Sequence, residues 1–375
     1  MPQSYQICQR CVMDTTDPNI SFDESGFCNH CTQFFRKKGE YPYNLSSEEK
    51  DLILKKIINQ IKHAGKNKKY DSIIGVSGGA DSTYVAYLTR KLGLRPLAIH
   101  FDNCWDSELA VYNIEKTLKM LNIDLYTYVV DWEEFRDLQL AFLKASTPDS
   151  EIPTDHGINS VLYQFAAKYG VRYIINGMNF NTESIMPSAW SHGHYDWKYI
   201  KSLHKLFGQR PLRTYPKISY LDLFYWRFVL NIKYFKIFDY ADYNREHILK
   251  VLSEQLSWQN YEEKHYESLY TKFYQGYILP TKFGYDKRRA HLSSLICSSQ
   301  ISREQALQDL KKDLYPPQRL MEDKTYVIKK LGLSPAEFEQ IMNLPPKSFW
   351  DYPSYEKSWY FKFAQRYYRL FNKQL

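Results

Sequence analysis

The chain has 375 residues, 44% apolar and 25% charged, with Lys and Arg outnumbering Asp and Glu by 50 to 42. That length points to one sizeable core with added modules, and that composition excludes a disordered, collagenous or fibrous chain. No run reaches the roughly 18 to 20 uncharged apolar residues of a spanning helix, and the start Met1-Pro2-Gln3-Ser4-Tyr5-Gln6 lacks a secretory layout, so a cytoplasmic, non-transmembrane protein is expected.

Four of the six cysteines fall in the first 31 positions. Cys8-x-x-Cys11 and Cys28-x-x-Cys31 enclose sixteen residues, a spacing that suits a four-thiolate zinc site. Four thiolates leave no coordination position for an activated water, so such a Zn²⁺ would be structural. An iron–sulfur cluster uses the same ligand type and is the competing assignment. Residues 1–45 are therefore expected to form a zinc-ribbon head. Ser46 to Lys62 is expected as a helix capped by Ser47, leading into the main domain over 46–177.

From Tyr70 onward, short apolar runs alternate with amphipathic segments. Ile73-Ile74-Gly75-Val76, Pro96 to Ile99, Leu125 to Val130 and Tyr173 to Ile175 read as strands, with helices at 82–92, 107–121, 132–144 and 158–169 between them. This order predicts an α/β fold with a doubly wound parallel sheet, whose ligands bind at the carboxyl ends of the strands. The first strand runs into Ser77-Gly78-Gly79-Ala80-Asp81-Ser82. Two glycines let backbone N–H groups turn inward, and the following helix start adds its positive dipole end, so phosphate belongs there. Ser77 and Ser82 can donate to phosphate oxygens, and Asp81 suits an Mg²⁺ ion bridging them. Asn176-Gly177-Met178-Asn179 follows a later strand end, where Gly177 permits close approach of a nucleotide and Asn179 and Glu183 are candidate substrate contacts.

Residues 178–260 are expected as a helical insertion or lobe beside the sheet. Within them, 198–236 carries nine basic residues against Asp222 alone, with ten aromatics between. Such a segment could lie on nucleic acid, an anionic membrane or an acidic partner, but a core-facing aromatic stripe with a solvated basic face is the preferred expectation. Residues 261–375 are expected to be a helical region that completes the active site, with Glu263 to Phe273 helical, Pro280 to Arg289 a polar loop, Ser302 heading one helix and Ser334-Pro335-Ala336-Glu337 starting another. In that loop Lys282, Lys287, Arg288 and Arg289 could stabilise charge on the α-phosphate and the activated amide while Asp286 orients them or binds metal. His265 and Glu267 are candidate proton acceptors for incoming ammonium, and His291 is expected to be structural.

The Ser-Gly-Gly-x-Asp-Ser loop resembles the pyrophosphate loop of the adenine-nucleotide α-hydrolase (PP-loop ATP pyrophosphatase, HUP-like) superfamily. The resemblance implies cleavage of ATP between the α and β phosphates, adenylation of a carbonyl or amide oxygen, and displacement of AMP by nitrogen or sulfur. It also implies that His100, Asp102 and Asn103, at the end of the second strand, lie along adenosine. Residues 258–275 and 279–307, with the Cys11 to Pro18 run, are similar to the bacterial N-acetyl sugar amidotransferases of the WbpG and PseA type. The chain departs from their pattern at Glu262-Glu263, where the pattern has two glycines, and at Ala80, where it often has Lys. This second resemblance implies conversion of an acetamido group on a UDP- or CMP-linked sugar into an acetamidino group, for O-antigen, lipopolysaccharide or flagellin glycans. It further implies ammonia from a separate glutaminase, related in some systems to the histidine-biosynthesis glutaminase and cyclase pair, and no nucleic-acid partner. A tRNA-thiolation enzyme with a zinc head and the same loop is the alternative, although such enzymes usually need more cysteines than Cys104 and Cys297.

Overall fold

The computed structural model describes residues 4–261, 266–359 and 361. The cysteine-bearing turns lead into α1 (Asn29–Lys38) and α2 (Ser47–Ala64). The cap of α2 is Ser46 rather than Ser47: its side chain accepts the Glu49 N–H and the Glu49 carboxylate accepts the Ser46 N–H. Next come β1 (Ser72–Gly75), α3 (Ala80–Lys91), β2 (Pro96–Asp102), α4 (Glu108–Leu121), β3 (Asp124–Val129), α5 (Trp132–Ala145), α6 (Ile152–Lys168) and β4 (Tyr173–Asn176). Helix α6 begins earlier than its apolar pattern suggests, because Pro153 sits in its first turn, where a missing N–H costs nothing.

The chain continues through α7 (Phe180–Glu183), α8 (Trp197–Phe207), α9 (Tyr220–Phe224), β5 (Lys233–Lys236) and α10 (Arg245–Leu256). It ends, among the described residues, with α11 (Leu269–Phe273), α12 (Lys287–Cys297), α13 (Arg303–Leu310), α14 (Pro317–Leu331) and α15 (Pro335–Asn343). Both α9 and α11 run on into π-helical turns, Tyr225–Val229 and Tyr274–Phe283. The second of these absorbs Pro280 to Phe283, so the stretch expected as one polar loop is split between a π-helix and α12. The expected helix from Glu263 begins only at Leu269, and residues 262–265 lie outside the described residues.

The five strands form one parallel sheet in the order β3-β2-β1-β4-β5. Helices cover both faces, because successive strand residues point to opposite sides. Ile73 packs with Phe135, Leu138 and Phe142 of α5, Val161 and Phe165 of α6, and Ile200 of α8. Its neighbour Ile74 packs with Ile58 of α2, Val85 of α3, Ile114 of α4 and Leu252 of α10. The α/β doubly wound sheet expected from the sequence is thus present. The segment expected as a lobe beside it supplies the fifth strand and α10, which packs against α3. Strand order reverses between β1 and β4, so the crevice for a ligand opens above their carboxyl ends.

Over 198–217 the basic aromatic segment is the expected stripe, with Tyr199, Leu203 and Tyr215 buried and Lys201, Lys205, Arg210, Arg213 and Lys217 exposed; over 221–229 it departs from it. Leu223 is buried, Trp226 stacks on Tyr163 at 5.4 Å, and the Arg227 guanidinium donates to the Tyr163 hydroxyl at 2.9 Å. The outward side, Leu221, Phe224, Tyr225, Phe228 and Val229, is apolar and exposed rather than basic. Just before it, the chain is held down by one carboxylate of α5: Glu134 accepts the backbone N–H groups of Arg213, Thr214 and Tyr215 at 2.9, 2.9 and 3.1 Å. Glu134→Ala strands the buried Tyr215 N–H at about 1–3 kcal/mol, while those of exposed Arg213 and Thr214 can turn to water. A loss of about 1–3 kcal/mol is expected in urea unfolding; a loss well under about 1 kcal/mol would show the loop re-solvates freely.

Candidate functional site

The loop after β1 has the form an anion needs. Gly78 has φ +81°, and Gly79 is the N-cap of α3 without a side-chain cap, so the N–H groups of the first turn stay open to a ligand. The Ser77 and Ser82 hydroxyls lie 3.2 Å apart, and Ser82 Oγ accepts the Ser77 N–H at 3.2 Å and donates to the Gly79 carbonyl at 3.1 Å. A Cβ on Gly78 would fall 2.7 Å from the Ala110 carbonyl oxygen, and one on Gly79 would fall 2.9 Å from Glu267 Oε1. The loop is also braced from far along the chain: Trp258 Nε1 and the Tyr261 hydroxyl both donate to the Gly78 carbonyl, at 2.9 and 3.1 Å.

Carboxylates gather around this turn. Asp81 Oδ1 accepts the Tyr243 hydroxyl at 2.6 Å. Burial pushes that phenol up, with the charges of Asp81 and Glu183 adding to it, so Glu183 shares the neighbourhood. Glu267 is brought to Gly79 by an antiparallel contact in which Ser107 N–H donates to Glu267 O at 2.8 Å and Leu269 N–H to Trp105 O at 2.9 Å. A bare phosphate would be repelled by Asp81 and Glu267, whereas hard oxygen donors beside phosphate suit Mg²⁺.

The other expected nucleotide contacts sit at the strand ends but are partly spent inside the protein. His100 bonds the Val76 carbonyl through Nδ1 at 2.9 Å and Asp106 through Nε2 at 3.0 Å. Both partners are acceptors, which favours the doubly protonated ring; burial pulls its pKa down, but the Asp106 bond and charge outweigh that and raise it. Asn103 is buried, donating to Thr154 Oγ1 at 3.0 Å and accepting the Trp105 N–H at 3.1 Å. Asp102 is less buried and accepts the Cys104 N–H at 2.7 Å. A Cβ on Gly177 would meet Val85, Phe238 and the Asp81 carbonyl at 3.0–3.2 Å, so glycine there lets β4 close on the start of α3. Asn179 is buried, caps α7 through the Asn181 N–H, and its Nδ2 has no hydrogen-bond partner among the described residues. His291 links α12 to α7 by bonding the Thr182 carbonyl at 3.0 Å.

The basic residues expected to act together point apart. Lys282 donates to the Ile341 carbonyl of α15, and burial lowers its pKa to about 8. Asp286 caps α12 and holds Arg288 at 2.9–3.1 Å, while Arg288 also bonds the Lys312 carbonyl beyond α13. Arg289 turns to the ribbon, pairing with Asp14 at 3.0 Å. Lys287 alone enters a polar cleft, 3.5 Å from Glu151. His265 lies outside the described residues.

That cleft holds groups the sequence analysis did not single out. His194 Nε2 lies 3.3 Å from Asp149 and 3.4 Å from Asp155, the Ser191 hydroxyl donates to Asp149 at 2.5 Å, and Gln275 donates to Glu151 at 2.9 Å. Burial pulls the His194 pKa down, but the Asp149 bond and charge bring it up to about 9. Burial raises Asp149, yet His194 and Lys287 hold it below the usual carboxylate range. Burial pushes Asp155 up to about 6, and half of its side chain remains accessible. The run Asp149-Ser-Glu-Ile-Pro-Thr-Asp155 at a helix start was the available signal. A cavity of about 970 Å³ between α2 and the starts of β4 and β5, lined by Lys55, Lys56, Arg172 and Lys233, opens at the opposite, amino end of the strands.

The four ribbon cysteines are buried, and their sulfurs all lie within 4.8 Å of one another. Cys8 and Cys31 are 3.8 Å apart and Cys11 and Cys28 3.6 Å, close to the roughly 3.8 Å edge of a tetrahedron with 2.3 Å zinc–sulfur bonds. Backbone N–H groups of Arg10, Met13 and Cys28 donate to these sulfurs at 3.2–3.4 Å, which suits thiolates. The residues fit Zn²⁺. The ribbon is built into the C-terminal helices: Arg303 donates to the Cys8 and Cys11 carbonyls, the Ser293 hydroxyl accepts the Val12 N–H, and Cys297 lies 3.7 Å from Cys31.

No helix among the described residues is long and apolar enough to cross a membrane. No curated protein matches the chain. Among solved structures, it is similar to a predicted tRNA methyltransferase subunit from Methanocaldococcus jannaschii (19% identity, 49% of this chain and 74% of that one, TM-score 0.29). It is also similar to NMN synthetase from Francisella tularensis (18%, 58% and 89%, 0.28) and to NH3-dependent NAD synthetase from Campylobacter jejuni (16%, 78% and 98%, 0.30). Residues 267–367 match the family model described as LPS biosynthesis protein WbpG-like, C-terminal domain. The region that starts at Glu267, against the phosphate loop, thus belongs to the WbpG-like C-terminal domain family.

Proposed function

We propose that the chain is an ATP-dependent, AMP-forming amidotransferase that adenylates the acetamido oxygen of a UDP- or CMP-linked N-acetyl sugar and replaces that oxygen with ammonia. The observation that carries this is the closure of the WbpG-like region over the Ser-Gly-Gly loop, with Glu267 at Gly79 and, just upstream, Trp258 and Tyr261 on the Gly78 carbonyl. Ser77, Gly78, Gly79 and Ser82 hold the leaving pyrophosphate. Asp81, with Glu183 and Glu267 nearby, would hold Mg²⁺, which neutralises charge on that group. The acetamido oxygen attacks the α-phosphorus and the bond to pyrophosphate breaks. Ammonia then displaces AMP to give the acetamidino sugar, a product suited to O-antigen or flagellin glycans. Zn²⁺ in the ribbon is structural.

The nitrogen comes from a separate glutaminase, of the kind that pairs with a cyclase in histidine biosynthesis. A glutaminase needs an activated thiolate. Here Cys297 is buried beside the ribbon, and burial with the Asp102 charge raises the Cys104 thiol, the reverse of activation. The same two thiols offer no pair for sulfur relay, which disfavours tRNA thiolation.

With ATP, ammonium and a panel of UDP- and CMP-linked acetamido sugars, the protein should release AMP and pyrophosphate. Asp81→Ala should cut that rate on the order of a hundredfold while the melting curve persists. ADP and phosphate as products, or glutamine supporting the lone chain as well as ammonium does, would sink the proposal.

A further inference from the structure

Two surface features adjoin at the β5 edge of the sheet, at the end away from the phosphate loop. The first is apolar: Leu221, Phe224, Tyr225 and Val229 fall within nine residues of one another, and each is at least half exposed. Single exposed apolar side chains are ordinary, but a run of them marks a surface that meets something apolar. The second is basic. The cavity of about 970 Å³ carries Lys55, Lys56, Arg172 and Lys233, and no carboxylate lines it among the described residues. Lys55 is shared with Asp51, one turn earlier in α2 at 2.5 Å, whereas Lys56, Arg172 and Lys233 make no ion pair among the described residues. Asn231, two residues after Val229, and the exposed Leu52 of α2 line the same cavity, so apolar and basic groups share one rim.

We propose that this edge docks on an anionic phospholipid membrane, with the apolar face of α9 and its π-turn in the headgroup layer and the cations of the cavity on lipid phosphates. Apolar and aromatic side chains flanked by lysine and arginine form an element that lies on a bilayer without crossing it. Charge complementarity chooses the occupant, because a cavity of cations without a carboxylate repels a basic surface and attracts an anionic one. A single soluble phosphate asks for donors held in fixed directions. Lys55, Lys56 and Lys233 are instead exposed, on long stems that can follow a fluid array of phosphates. Nucleic acid would use the cations but leave Leu221, Phe224 and Val229 in water. The strands are parallel and the phosphate loop follows their carboxyl ends, so the nucleotide site stays open to solution while the amino-end edge is docked. The inference stands whichever carbonyl the enzyme activates.

The full chain is sedimented with sucrose-loaded vesicles of phosphatidylethanolamine and phosphatidylglycerol, and separately with vesicles of phosphatidylcholine alone. Binding to the anionic vesicles should be stronger by about tenfold or more and should weaken with added salt. Two double variants, Leu221→Ser with Phe224→Ser and Lys56→Glu with Lys233→Glu, should each cut that binding by about tenfold or more. Their melting curves should persist, since all four side chains are exposed. In the wild type, amide exchange should slow over 52–60 and 221–233 when anionic vesicles are added, and stay unchanged over 77–82. Equal binding to the two vesicle types, undiminished binding by either double variant, or no protection over those two segments overturns the proposal. Three further results would overturn it by assigning the edge elsewhere. A wild-type dimer that Leu221→Ser with Phe224→Ser turns into a monomer assigns it to a second copy of the chain. An RNA oligomer bound more tightly than the vesicles assigns it to nucleic acid, and inorganic phosphate that displaces the vesicles at constant ionic strength assigns it to a soluble anion.

Discussion

Gly78→Ala should abolish ATP turnover, with a fall of about a hundredfold or more, while the protein stays folded. Two costs combine at this residue. At φ +81° an alanine is held in the left-handed region, which costs about 1–2 kcal/mol, and its Cβ would stand 2.7 Å from a backbone carbonyl that cannot yield as a flexible side chain does. The loop must move, and its carbonyl leaves Trp258 and Tyr261. A shift of about 1 Å in groups that position a reacting phosphate costs on the order of a hundredfold in rate. The control is Gly284→Ala, at φ +72° with nothing near its would-be Cβ, which incurs only the backbone cost. Pyrophosphate release and melting temperature measured on both variants separate the effects. Equal activity of the two would show that the loop does not hold the phosphates.

Stripping the ribbon of metal should have the largest effect on stability. About one zinc per chain is expected by metal analysis, and Cys28→Ser should lose it. Four-thiolate sites bind with apparent free energies of about 10–16 kcal/mol in small zinc domains, where that energy is folding energy. A separate head, as expected over 1–45, would loosen by itself. The structure extends the damage, because Arg289 and Arg303 reach from α12 and the start of α13 to the Val12, Cys8 and Cys11 carbonyls. Hydrogen exchange should therefore speed up over 5–34 and over 287–310, and stay slow in β1 and β2. Because α12 begins with Lys287, activity should fall with metal content. An iron–sulfur chromophore in anaerobically purified protein would contradict the zinc assignment, and intact protection over 287–310 after metal loss would contradict the coupling.

Strands β1, β2 and β4 were legible because each is a short apolar run ending in a polar or glycine turn, and the metal site because its spacing is local. Capping residues were legible to within one position, as Ser46 and Ser334 show. Strand β5 was not, since Lys233-Tyr-Phe-Lys236 hides four strand residues between charges in a basic stretch. Nor was the separation of Lys282, Asp286, Lys287 and Arg288. Once Asp286 caps a helix, successive side chains turn by about 100°, and neighbours in sequence face different partners. The polar cluster was half legible for the opposite reason: the run Asp149 to Asp155 is local, but His194 and Lys287 come from distant segments, and only folding sets them beside it.

The bonds from Trp258 and Tyr261 to the Gly78 carbonyl also set a clock. They join groups 180 and 183 residues apart, so the loop emerges from a ribosome long before its braces do. At about 5–20 residues per second the delay is about ten to forty seconds. During that time a growing chain can pair β1 with β2 yet cannot finish its phosphate seat. On the proposed function, truncated or stalled products are unable to consume ATP, and activation of a carbonyl begins only when the part of the enzyme that receives the second substrate already exists.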